Sequence, residues 1–156
     1  MTTRLLSTDT LAELIDRRHD CLRELLGLAR QQHDLAAAGD VDGLLAILGR
    51  KQPQLEALQH IAAALKPFRE ENAEQRVWPD ASRRVACQRR WDECTSMHDE
   101  IVGLERASEK SLRERRDEVG RRLHASHSAH QAHHAYLHAV QPQSGQTGGQ
   151  IDLTEA

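Results

Sequence analysis

The sequence predicts an all-α fold: an antiparallel three-helix bundle of coiled-coil type, with a long protruding C-terminal helix and a disordered tail. Apolar residues advance in threes and fours, the period of a helical face, through most of the chain. No stretch alternates with period two while being rich in β-branched residues, so strand signals are absent. With 38% apolar, 3% aromatic and 29% charged residues, there is bulk for a thin seam between helices but not for a thick core. The 156 residues suit one ordinary domain, assigned to residues 1–140, with the tail at 141–156.

The first helix is expected over about 9–38. Leu11, Leu14, Ile15, Leu22, Leu25, Leu26, Leu28 and Leu35 form its apolar face, and Thr8 or Asp9 its cap. Gly39 then supplies a left-handed stop, and Asp40 caps the next helix. That second helix is expected over 41–66 on a seam of Val41, Leu44, Leu48, Leu55, Leu58, Ala62 and Leu65. Lys51 interrupts the seam and Pro53 is expected to kink the helix near Gly49. Pro67 and the run REENAEQR read as a connector. The third helix begins at WPD, residues 78–80, and meets no strong breaker before Pro142. Continuous over 80–140, it would span roughly 90 Å. Its seam of Val85, Trp91, Cys94, Ile101 and Leu104 thins after Glu105 to Leu112, Val119 and Leu123. Glu109–Arg113, Asp117–Arg121 and Glu118–Arg122 have the i,i+4 order that supports a solvated helix. The segment QPQSGQTGGQIDLTEA lacks the apolar content to fold by itself.

Composition also excludes classes of function. A net charge of −3 provides no broad basic field, and four scattered aromatics make no base-stacking platform, so nucleic acid is not an expected partner. No apolar run reaches signal-peptide or membrane-span length, which predicts a cytoplasmic protein without membrane insertion. Three cysteines form no obvious disulfide framework. Cys87 and Cys94, on one helix, would stand roughly 10 Å apart, beyond disulfide reach. A glycine-rich phosphate loop, a nucleophile elbow and an HExxH motif are all missing, so neither catalysis nor a cofactor is expected.

Six of the ten histidines crowd residues 124–138. Five of them, His124, His127, His130, His134 and His138, fall within an arc of roughly 120°. His130–His134 and His134–His138 have the i,i+4 spacing that lets two imidazoles share one ion. The set is short of the three or four ligands a zinc site needs, and no nearby acid or cysteine completes it, so metal binding is the minor reading. The same arc continues the seam of Leu112, Val119 and Leu123, which favours a contact surface. Opposite lie Ala125, Ala129, Ala132, Ala135 and Ala139 around Tyr136, a side chain with an apolar body and a polar tip suited to anchoring a contact. Cys87, Cys94 and His98, with Cys21 facing them, lack the tight Cys-x-x-Cys spacing of zinc sites and read as packing.

Two segments resemble the FlgN-type flagellar export chaperones: LIDRRHDCLRELLGLARQQHDLAAAGDVDGLLAILGRKQPQLEALQHI, residues 14–61, and RWDECTSMHDEIVGLERASEKSLRERRDEVGRRL, residues 90–123. The helix–AGD–helix turn followed by a Lys-Gln pair and leucines is the most family-like piece. Pro53 and the histidine-rich end depart from the pattern. The resemblance implies a small cytosolic helical chaperone that shields an amphipathic helix of hook–filament junction (hook-associated) proteins and hands them to the export gate. By position it implies Leu104, Leu112, Val119 and Leu123 for cargo and Tyr136 for the gate. Self-pairing of the long helix into a homodimer is the alternative that the seam alone allows.

Overall fold

The computed structural model describes residues 6–140. Three α-helices account for nearly all of them: α1, Thr8–Ala38; α2, Val41–Glu70; and α3, Ala81–Val140. A single 3-10 turn, Ala73–Gln75, lies between α2 and α3. The expected tail at 141–156 lies outside the described residues.

The cap of α1 is Ser7, one residue before the expected position; its side chain accepts from the Thr10 backbone N–H at 3.4 Å. Thr8 has a different task. Buried in the first turn, it donates its hydroxyl to the Val77 carbonyl at 2.9 Å and so ties α1 to the connector. Gly39 ends α1 at φ 70°, ψ 27°, a left-handed conformation that glycine adopts without steric cost. Asp40 caps α2 through the Gly43 N–H at 2.9 Å. A Cβ at Gly43 would sit 2.8 Å from Asp40 Oδ2 and 2.9 Å from Leu35 Cδ2, so both side-chain ends would have to shift, that of Asp40 out of its capping position.

α2 departs from expectation in two respects. It continues through Pro67 to Glu70 rather than stopping at 66. Proline removes a backbone bond, but both Pro53 and Pro67 are exposed, and the extra turn carries Phe68 into the core with Leu11, Leu14, Ile15, Ile61 and Leu65. Arg76 then donates to the Phe68 carbonyl at 2.6 Å, satisfying an end group that the helix leaves open. The second departure is the register. Val41, Leu48 and Leu55 are exposed, and the buried positions are Leu44, Ile47, Lys51, Ile61, Leu65 and Phe68. Lys51, expected to interrupt the seam, belongs to it.

Cross-helix pairs fix the directions. Asp9–Arg83 at 3.1 Å, Asp16–Arg90 at 3.3 Å, His19–Glu93 at 2.7 Å and Arg30–Glu100 at 2.8 Å rise together in number. α1 and α3 therefore run parallel, with α2 antiparallel to both. Near one end of this arrangement, each helix contributes one residue to a polar layer. Lys51 Nζ donates to Gln32 Oε1 at 2.9 Å and to the Glu105 carboxylate, and Gln32 Nε2 donates to Glu105 Oε2 at 3.0 Å. A buried ammonium is tolerated only when paired and hydrogen-bonded, and here both conditions hold.

Compactness divides the chain into two units, one up to Arg113 and one from Glu114 on. In the first, Cys94 and Ser108 are fully buried on α3, while Trp91, Ile101 and Leu104 are half-buried. Val85, expected on this seam, is exposed; Trp78, Cys87 and Trp91 fill the apolar contacts of that region instead. The pairing offset between α1 and α3 brings Ala38, the end of α1, level with about residue 112. In the second unit the described residues are helical, and every one from Glu114 to Val140 is exposed.

Candidate partner-binding face

From Leu112 onward α3 carries large apolar side chains that are exposed. Leu112 is 39% exposed, Val119 54% and Leu123 66%. At about 100° per residue they fall within an arc of about 40°. His130 and Leu137 fall in the same arc, giving a line of 112, 119, 123, 130 and 137 with spacings that suit a heptad seam. Leu137 was not singled out from the sequence, although the sevenfold step from His130 was there to find it. Tyr136 is exposed and lies about 120° round from this line, on the alanine side. Leu104 differs from the others: it is half-buried within the first unit.

The polar faces beside this line carry i,i+4 ion pairs. Glu109–Arg113 at 2.6 Å and Glu118–Arg122 at 2.7 Å form as the spacing indicated. The third expected pair does not: Asp117 accepts from its neighbour Arg116 at 3.4 Å rather than from Arg121. Such exposed pairs contribute a few tenths of a kcal/mol each, roughly, enough to favour a solvated helix but not to bury its apolar line.

A family model described as FlgN protein matches residues 1–144, which includes every helix of the described residues. The chain belongs to the FlgN family of flagellar export chaperones. No curated protein and no solved structure matches it. The FlgN family is one of chaperones, and among the described residues no helix is long and apolar enough to cross a membrane.

The remaining chemical groups of this FlgN-family chain are occupied in ways that do not converge. His134 and His138 sit with ring centroids 5.5 Å apart, and His127 pairs with Gln131 at 3.1 Å. Among the described residues, no three His, Cys, Asp or Glu side chains are grouped to hold a metal ion. Cys94 is buried with its thiol 3.9 Å from the Ile15 carbonyl, while Cys21 and Cys87 pack against the core. Burial raises the pKa of all three thiols, in Cys94 partly offset by the charge of Arg18. His98 is exposed beside Asp99 at 3.7 Å. This matches the packing role read for the cysteines. Arg18 itself lies 4.7 Å over the Trp91 ring, a cation–π contact that accompanies a buried Nη1 with no hydrogen-bond partner among the described residues.

Proposed function

We propose that this chain is a non-catalytic, cytoplasmic export chaperone that receives an amphipathic helical segment of a hook–filament junction protein along Leu112, Val119 and Leu123. It holds that segment away from premature assembly and passes the cargo to the export gate, where Tyr136 makes contact. One observation carries this reading: an apolar line with heptad spacing runs along a stretch of helix exposed on every side. A coiled-coil seam without a partner leaves apolar area in water, at about 25 cal/mol per Å², and an incoming amphipathic helix removes that cost. Leu104, half-buried, lies at the inner margin of this surface. Because Tyr136 is well round the helix from the leucines, cargo and gate contacts need not compete for one face.

The test combines light scattering with calorimetry, using the full chain and the helical terminal segment of a hook–filament junction protein. A monomer that forms a one-to-one complex is the expected result. A tight homodimer that ignores the segment would contradict the proposal and assign the same seam to self-pairing.

A further inference from the structure

The first unit holds a second partnerless feature, on residues other than those proposed for cargo. Between the end of α2, the connector and the start of α3 lies a groove enclosing about 260 Å³. Leu11, Ile15, Leu65 and Phe68 form its floor, and Trp78 and Trp91 also line it. That volume falls below the range of pockets for drug-sized molecules and suits one large side chain with a little backbone.

Charge narrows the choice of occupant. Three arginines line the groove, Arg69, Arg76 and Arg84, and none of its lining residues is acidic. Arg76 is committed internally, to the Phe68 carbonyl and to Glu71 at 3.3 Å. Arg69 and Arg84 are exposed and make no ion pair or hydrogen bond among the described residues. An apolar cavity between two unengaged guanidinium groups is complementary to an apolar side chain flanked by carboxylates, since arginine binds carboxylate bidentately. Nucleic acid fits poorly, because the chain as a whole is acidic at −3.

We propose that this groove is a docking site for an acidic–apolar segment of a partner protein. One large aliphatic or aromatic side chain enters between Trp78 and Trp91, and neighbouring Asp or Glu residues pair with Arg69 and Arg84. This site is independent of the cargo surface, so either reading can fail without the other.

The chain has two tryptophans and both line the groove, so their emission reports occupancy. The full chain is titrated with acetyl-EDLFDE-amide, its charge-reversed form acetyl-KKLFKK-amide, its apolar-deleted form acetyl-EDSSDE-amide, and decanoate. A saturable emission change with the first peptide alone is expected. Arg69→Glu/Arg84→Glu should weaken it by about tenfold or more while helical circular dichroism stays unchanged, both side chains being exposed. The milder Arg69→Ala/Arg84→Ala serves if charge reversal disturbs folding. No saturable change, an equal response to the basic peptide, or indifference to the arginine variants would overturn the proposal. So would binding of decanoate without the peptide, which marks a site for small amphiphiles. An emission change on concentrating the protein alone, with a dimer mass by light scattering, would also overturn it and give the groove to a second copy.

Discussion

Leu112→Asp, Val119→Asp and Leu123→Asp combined should abolish capture of the cargo helix, with the melting temperature moving by no more than a few degrees. The reason is the exposure of these side chains, which rises from 39% at Leu112 to 66% at Leu123. Little core contact is lost, and aspartate costs only about 0.5 kcal/mol or so of helix propensity at each site. In a complex the same side chains would be central anchors, each worth about 1–2 kcal/mol or more when desolvated. Placing three carboxylates in that seam should weaken binding by at least about a hundredfold. Calorimetry with the junction-protein segment and a thermal melt of the free variant measure the two halves. A drop of ten degrees or more in the melt would make these residues core and misplace the surface. Tyr136→Ala, on another face, should keep cargo affinity and lose binding to the export gate.

The second large effect belongs to the polar layer. Lys51→Ala or Glu105→Ala should each destabilise the bundle by about 2 kcal/mol, lowering the melting temperature by roughly 6–8 °C. Either change strands charged or polar groups that the native layer satisfies. The figure is below the usual range for a fully buried pair because the Glu105 side chain keeps 36% of its exposure. Replacing the layer with leucine at Gln32, Lys51 and Glu105 together removes every stranded group, and should restore or exceed native stability. What the apolar layer loses is discrimination. One lysine from α2 that must meet one glutamine from α1 and one glutamate from α3 permits a single register, whereas leucines permit sliding by a heptad. Thermal denaturation of the single and triple variants separates the two contributions. Equal destabilisation by the singles and the triple would remove the layer's assigned role.

The polar layer also explains why the α2 register was illegible. Lys51 lies 19 residues from Gln32 and 54 from Glu105 in the chain, and nothing local in the sequence announces that three helices meet there. Reading leucines by sevens therefore selected Leu48 and Leu55, and passed over Ile47 and Ile61. Local signals fared better. Gly39 and Asp40 stop and restart the helices by chemistry confined to a few residues, and the turn forms as read. Pro67 misled for the opposite reason: a local breaker was outweighed by a tertiary gain, the burial of Phe68. The length of α3 was legible from the want of any strong breaker between Pro79 and Pro142, and its thinning seam from the spacing of Leu112, Val119 and Leu123. The groove beside Trp78 was not, because it is assembled from α1, α2, the connector and α3 at once.

Amide hydrogen exchange along α3, with and without the junction-protein segment, tests most directly whether the apolar line waits for a partner. In the free chain, residues 114–140 should exchange much faster than the helices of the first unit, and adding the segment should slow exchange across Leu112–Val140 while leaving α1 unchanged. If those amides are already as protected as α1 without cargo, or if protection on binding appears on α1 and α2 instead, the line is not the receiving surface.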